Sequence, residues 1–257
     1  VITGESDIAT VYETPVVHQI YQGVDLAVIT QLHHSTRNTA LIARKDKGIS
    51  TLTDLTGKRI GLPKNTNAAF FLHQLLAINE IPEASITIVD ISPDDILDAL
   101  KSGAVDAVAI WNSYIFNILN TFTEDQVTSF YSDAYTEFSV LATLRKTAAE
   151  KHEAFRRLMQ GLVRAEAFLY DHPDEAMKVV IDMLPSTVKL TIPHVWDLVE
   201  RELKLDNVML TIFKQESEWL KDTGHYEGIK PNFRKIITSA LLSEVKPESV
   251  TLLIDVQ

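Results

Sequence analysis

Cysteine is absent from all 257 residues. That one absence removes disulfides, thiolate catalysis and cysteine-based metal sites together. It suits an oxidising compartment, where stray thiols are a liability, although many cytosolic chains lack the residue too. Uninterrupted apolar runs of about 18 residues, the length a membrane-spanning helix needs, are missing as well. No basic-then-apolar leader opens the sequence, as expected of a mature exported chain or a trimmed one, and without a cysteine these residues carry no lipoprotein anchor. The chain contains no P-loop, no G-x-G-x-x-G, no G-x-S-x-G elbow and no H-E-x-x-H. Internal repeats and low-complexity segments are also lacking. Positive charge is scarce: 24 Lys and Arg stand against 35 Asp and Glu, for a net charge of −11. That balance argues against nucleic acid or an anionic membrane as partner. An anionic ligand is not excluded, because the field inside a pocket can oppose the net charge.

What is present is a chain with 46% apolar residues, enough for one large domain or two lobes with a sizeable core. The most informative stretch is Gly48–Asn67, GISTLTDLTGKRIGLPKNTN. Ile49–Leu55 reads as a short helical turn that Ser50 or Thr51 can cap. Gly57 and Lys58 form a tight turn, Arg59–Leu62 is a short apolar strand, and Pro63 stops it. Asn65, Thr66 and Asn67 can each cap the apolar helix Ala68–Ile78. A strand that ends at a capped helix start presents backbone N–H groups and partial positive charge, which suits an anionic or carbonyl group. Any α/β protein contains such junctions, so the local physics alone does not assign a site.

The rest of the chain alternates strand and helix to about residue 144 and then turns helical. Strands are expected at Asp25–Thr30, Thr39–Arg44, Ser85–Asp90, Val105–Ile110, Val127–Tyr131 and Tyr135–Thr143, and this alternation predicts mainly parallel sheets with ligand sites at the carboxyl ends of strands. After Thr147, helices are expected over Ala148–Tyr170, from Pro173, and over Pro193–Lys204, Asn207–Thr223 and Pro231–Ser243, followed by a strand-like tail over Val245–Ile254. His33 and His34 are adjacent; on a strand they would face opposite ways, so at most one reaches a given site. No third ligand stands at metal spacing beside them. Glu13 and Glu137 could act as an acid–base pair, as two carboxyls do in some hydrolases, but nothing local sets their separation.

Several phrases resemble the type II periplasmic solute-binding proteins, in their nitrate/sulfonate/taurine and thiamine-precursor branch. They are gI-x-x-x-x-DL-x-GK-x-I-x-x-P over residues 48–63, GE-x-DIA over 4–9, L-x-x-G-x-VDAVAIW over 100–111 and hP-x-EA over 172–176. The resemblance implies an α/β fold of two lobes, each a mainly parallel sheet flanked by helices, joined by a hinge of two crossing strands. Residues 1–44 with 145–257 would form lobe I, and 45–144 lobe II. It also implies a first strand, helix and second strand of lobe I ahead of Val1. The ligand would sit in a cleft that closes on it, contacted by Thr10, Tyr12, Glu13, one of His33 and His34, Asn65, Thr66, Asn67, Trp111, Asn112, Glu137 and Phe138. With both Glu13 and Glu137 in the cleft, an amine-bearing ligand is favoured over a plain sulfonate; pyrimidine-like ligands also occur in the branch. No cofactor or metal is implied. The expected use is as the monomeric, extracytoplasmic binding component of an ABC importer, partnered by its permease. The phrase kPE-x-VT at residues 246–251 resembles instead the outer ligand-sensing domain of a membrane kinase or cyclase. A pyrimidine-precursor synthase is the enzymatic relative, and its cysteine-bearing motif has no counterpart here.

Overall fold

The computed structural model describes residues 1–185, 189–224, 226 and 231–252. The chain divides into two compact units. Unit 1 holds Val1–His34, Glu137–Leu184 and Glu200–Gln257; unit 2 holds Ser35–Thr136 and Pro185–Val199.

Unit 1 is built on a three-stranded sheet in the order β1 (Ala9–Tyr12), β8 (Glu137–Leu144), β2 (Leu26–Ser35). β1 and β8 run antiparallel, with Tyr12 opposite Ser139. Outside the sheet, β2 is bridged by Ile237, Lys204 and Glu200 at Val28, Gln31 and His34. Helix α1 (Glu13–Tyr21) starts directly at the end of β1 and packs against α9 (Asn207–Asp222). Helices α5 (Arg145–Glu150), α6 (His152–Asp171) and α7 (Pro173–Met183) follow β8. The core of the unit is aromatic: Phe138 meets Phe213 edge-on at 5.4 Å, and Phe213 stacks on Phe233 at 5.6 Å. Such ring pairs add to the burial of large apolar surface.

Unit 2 carries a five-stranded sheet in the order β5 (Thr87–Asp90), β4 (Arg59–Leu62), β6 (Ala107–Trp111), β3 (Thr39–Arg44), β7 (Val127–Phe130). β4 is parallel to both β5 and β6, while β3 is antiparallel to both β6 and β7. On one face Ala40, Ile42, Val108 and Ile110 pack with Ile96 and Leu100 of α3 (Ile96–Ser102) and Ile115 and Ile118 of α4 (Asn112–Thr121). Helix α2 (Asn67–Ile78) packs against β3 and β6. The local stops and starts have plain causes. Asp54 accepts from the backbone N–H groups of Ser50 and Thr51, and caps the short turn Leu52–Leu55. Gly103 ends α3 in the left-handed region at φ 74°, where a side chain would be strained. Asp106 accepts from the Arg59 backbone N–H and from its guanidinium, at 2.9 and 2.8 Å, and thereby locks β4 beside β6.

The expected α/β class holds, but the sheets are mixed rather than mainly parallel. Alternation of strand and helix fixes neither the direction of β3 and β8 nor their place, because both pair with strands distant in sequence: β3 with β6 and β7, β8 with β1. The change of unit falls at His34/Ser35 and Thr136/Glu137 rather than at 44/45 and 144/145, since β3 pairs with β6 and β7 while β8 pairs with β1. A further excursion, Pro185–Val199, brings the number of changes of unit to four rather than two. The helix expected over Pro193–Lys204 is limited to α8 (Ile192–Val195) and a 3-10 turn at Trp196–Leu198; residues 200 and 204 instead hydrogen-bond to β2. Pro231–Ser243 is likewise a 3-10 turn, Phe233–Ile236, and a short helix, α10 (Ala240–Val245). The tail forms a turn at Pro247–Ser249 and one bridge from Val250 to Leu205; its last expected residues lie outside the described ones.

Candidate functional site

In unit 1 the polar side chains gather where β1 runs into α1. Tyr12 ends the strand, Glu13 opens the helix with 0% exposure, and Glu137 begins β8 with 2%. Glu13 Oε2 accepts the backbone N–H of Phe138 at 3.1 Å, tying the helix start to β8. A third carboxyl joins them. Glu216 of α9 is 0% exposed, and its Oε1 accepts from the Thr14 hydroxyl at 2.7 Å. Its Oε2 is buried without a partner. Burial first, then the charge of Glu13, and to a lesser degree that of Glu137, push this carboxyl well above the usual carboxylate range. Glu216 is therefore held as the neutral acid.

Tyr12 and His33 complete this end. The phenol oxygen and His33 Nε2 lie 3.2 Å apart. Burial, then Glu137 and Glu13, raise the Tyr12 hydroxyl so that it stays protonated. Burial, then the positive charge of Arg201, lower His33 to about 4, so its ring is neutral. The site in unit 1 thus offers neutral donors and acceptors beside clustered carboxyls, a set suited to an amine or another N–H-bearing group.

His34 faces the other way, as adjacent residues of a strand must. Its ring approaches Gln31 at 3.1 Å and Glu200 at 3.3 Å, where it braces the Glu200 bridge. Phe138 is 1% exposed and packs in the aromatic core against Phe213. Thr10 lies exposed on β1.

In unit 2 the ends of two neighbouring parallel strands carry the second set. β6 runs into α4 with no intervening loop, and β4 reaches α2 through Pro63–Thr66. Asn65 takes a left-handed turn at φ 60° and is exposed. Thr66 and Trp111 occupy the cap positions, yet neither side chain bonds its helix start. The Thr66 hydroxyl donates instead to Pro63 O at 2.7 Å. Two helix starts without side-chain caps, on adjacent parallel strands, place two positive dipole ends together. Beside them, Thr39 stands opposite Trp111 in the β3–β6 register. Thr39 Oγ1 and Asn112 Nδ2 are both buried without a hydrogen-bond partner. Leaving such an atom unsatisfied costs about 1–3 kcal/mol, and here two residues carrying one lie at the same end of the β3–β6 pair. Asn67 is 6% exposed at the start of α2. Trp111 is half-buried, edge-on to Tyr114 at 5.7 Å. Arg37 sits over the Tyr131 ring at 5.4 Å and pairs with Asp133 at 2.9 Å.

Glu216, Thr39, Arg37 and Tyr131 escaped the reading of the sequence. Glu216 had a visible signal: it falls on the stripe Met209, Phe213, Glu216, Leu220, an acid at helical spacing among buried apolar residues. Among the described residues no cluster of three or more metal-ligating side chains occurs.

The family model described as NMT1/THI5 like matches residues 1–176, more than half of the chain. The chain belongs to this family. A Bacillus subtilis (strain 168) protein named for binding aliphatic sulfonates is 24% identical over 183 residues, 69% of this chain and 53% of that protein. The chain thus spans about half the length of that curated relative. The periplasmic aliphatic sulphonate binding protein SsuA from Escherichia coli has the same fold, with a TM-score of 0.77, 17% identity, and 91% of this chain and 80% of SsuA covered. The desulfurization enzyme DSZB also shares it, at a TM-score of 0.68 and 14% identity, with 95% and 86% covered. The periplasmic-binding-protein fold therefore houses both binding proteins and an enzyme, and the fold alone does not choose between them.

Proposed function

We propose that this chain is an extracytoplasmic solute-binding protein that delivers a small organic molecule to an ABC importer. The observation that carries the reading is the pair of buried, unpartnered polar atoms, Thr39 Oγ1 and Asn112 Nδ2, beside two helix starts without side-chain caps. An oxyanion satisfies both the amide donor and the dipoles, and a sulfonate or carboxylate has the right charge and several acceptor oxygens. The relatives' names support the sulfonate class. The proposed solute is accordingly a small organic sulfonate or carboxylate held through its oxyanion at the strand ends of unit 2.

Capture without chemistry is the proposed mode. Binding energy comes from groups already held in place, so little ordering cost is incurred on binding. Enzymatic use of the fold is disfavoured because the chain has no cysteine nucleophile and carries none of the catalytic motifs. Calorimetric titration with taurine tests the reading. The wild type is expected to bind saturably, and Asn112→Ala to weaken binding by about tenfold or more, the scale of a lost hydrogen bond to a charged group. Taurine recovered unchanged after prolonged incubation supports capture, whereas turnover would place the chain with the enzymes of this fold. An Asn112→Ala variant that binds as tightly as the wild type would refute the assignment of the anion end.

A further inference from the structure

In unit 2, β3 lies between β6 and β7, and the register places the start of β3 beside the carboxyl ends of both neighbours. Thr39 stands opposite Trp111 of β6, and Leu41 opposite Phe130, the last residue of β7. Tyr131 follows directly. It and Trp111 therefore flank β3 at the end that carries Thr39, and both pack on the core that β3 and β6 share with α3 and α4. With strands about 4.8 Å apart, the two residues stand roughly 10 Å from each other. Arg37 comes two residues before Thr39, a separation of at most about 7 Å along the chain. Its guanidinium lies 5.4 Å from the centre of the Tyr131 ring, and its Nη2 2.9 Å from Asp133 Oδ1. A cation is thus held on an aromatic shelf at the strand end where Thr39 Oγ1 and Asn112 Nδ2 are buried without a partner.

Net charge does not draw an anion to this end. Asp90 ends β5, Asp94 and Asp95 follow it, and Asp197 neighbours the Leu198 carbonyl that accepts from Ser35; with Asp133 these outnumber Arg37 and Lys64. Attraction here is local, from donors aimed at the anion. The Arg37–Asp133 pair is open to exchange. Its side chains are 43% and 74% exposed, and an ion pair so open to water holds its partners weakly. An oxyanion at Thr39 and Asn112, partly withdrawn from water, offers the same guanidinium two oxygens that match its planar fork, a stronger charge-assisted contact. The Tyr131 ring keeps the guanidinium near during the exchange.

We propose that Arg37 completes the oxyanion end of unit 2 by turning from Asp133 to the bound sulfonate or carboxylate, and that Asp133 is a built-in competitor for it. This assignment rests on the anion reading of Thr39 and Asn112. It adds two residues that set how tightly the anion is held, one by attraction and one by competition.

Calorimetric titration with ethanesulfonate, at low and high sodium chloride, tests the pair. Arg37→Gln should weaken binding by about tenfold or more and flatten its salt dependence. Arg37→Lys, which keeps the charge but not the fork, should fall between Arg37→Gln and the wild type. Asp133→Asn should tighten binding by about two- to fivefold; loss of a merely structural ion pair would bring no such gain. In the Arg37→Gln background the same Asp133→Asn change should bring no gain, because nothing is left to compete for. The inference is overturned if Asn112→Ala weakens binding while Arg37→Gln does not, a result that leaves the anion end itself standing. It is also overturned if Asp133→Asn gives the same gain with and without Arg37, which would make Asp133 a plain repulsive charge. Absence of saturable binding to the wild type would overturn both the inference and the reading beneath it.

Discussion

Replacing Glu216 by Gln offers the sharpest perturbation of unit 1, because it keeps the shape of the side chain and removes one ionisation. The carboxyl is fully buried, faces Glu13 of α1 and Glu137 of β8, and holds the Thr14 hydroxyl at 2.7 Å. Its folded pKa is raised by burial and then by Glu13, so the folded protein keeps a proton that the unfolded chain releases at about pH 4.3. Stability from this group is thus fully present below the unfolded value and is lost as pH rises towards the folded one. The loss is about 1.4 kcal/mol for each pH unit inside that window. Glu216→Gln cannot lose a proton, so the stability difference, variant minus wild type, should climb by about 1.4 kcal/mol per unit from about pH 5 upward. Urea unfolding at a series of pH values measures it, and the chain provides a local probe. Of its three tryptophans, Trp219 lies on α9 in unit 1, whereas Trp111 and Trp196 belong to unit 2. In a Trp111→Phe, Trp196→Phe background, Trp219 fluorescence reports unit 1 alone. Parallel stability curves with and without the Glu216→Gln substitution would refute the neutral-acid assignment, whatever their vertical offset.

Three further perturbations test the frame around the candidate sites. Phe138→Ala removes a buried ring that contacts Phe213 and should cost unit 1 about 3–5 kcal/mol, read from the same urea titration. Gly61→Ala forces a methyl to within 2.8 Å of the Ile91 side chain and 3.3 Å of Val105, so unit 2 should lose about 1–3 kcal/mol by overpacking in thermal or urea unfolding. The Asp106 carboxyl is held below the usual carboxylate range, first by its bond from Arg59, so its contribution is present above the unfolded value near pH 3.9 and lost as pH falls through the folded one. Asp106→Asn should therefore cost about 1 kcal/mol at neutral pH, a modest figure because Arg59 is half-exposed, and the cost should shrink in acid unfolding curves.

Much of unit 2 was legible because its signals are local. The strand Arg59–Leu62 ends at Pro63, the turn Thr51–Asp54 caps itself, and β6 runs straight into α4; each follows from neighbours in sequence. What depends on distant pairing was not legible. Residues 200–204 read as the end of a helix from Pro193, yet the backbone groups of Glu200 and Lys204 are taken by His34 and Gln31 of β2. The same pairing carries β2 on to Ser35, past the expected end at Thr30. Strand direction is also a long-range property, which is why β3 and β8 read as members of parallel sheets. In the candidate sites, the residues next to a strand end could be named in advance: Tyr12, Glu13, Trp111 and Asn112. Thr39 and Glu216 could not, because Thr39 gains its meaning only opposite Trp111, and Glu216 only when α9 packs on α1.

The central claim is that the chain captures a small organic anion at the oxyanion end in unit 2. Calorimetric titration of the wild-type protein with taurine, ethanesulfonate and ethylamine tests it most directly. Saturable binding of taurine and ethanesulfonate, each at least about tenfold tighter than ethylamine, is the predicted result. Ethylamine binding as tightly as the two sulfonates would contradict the oxyanion end, and no saturable binding of any of the three would contradict the account as a whole.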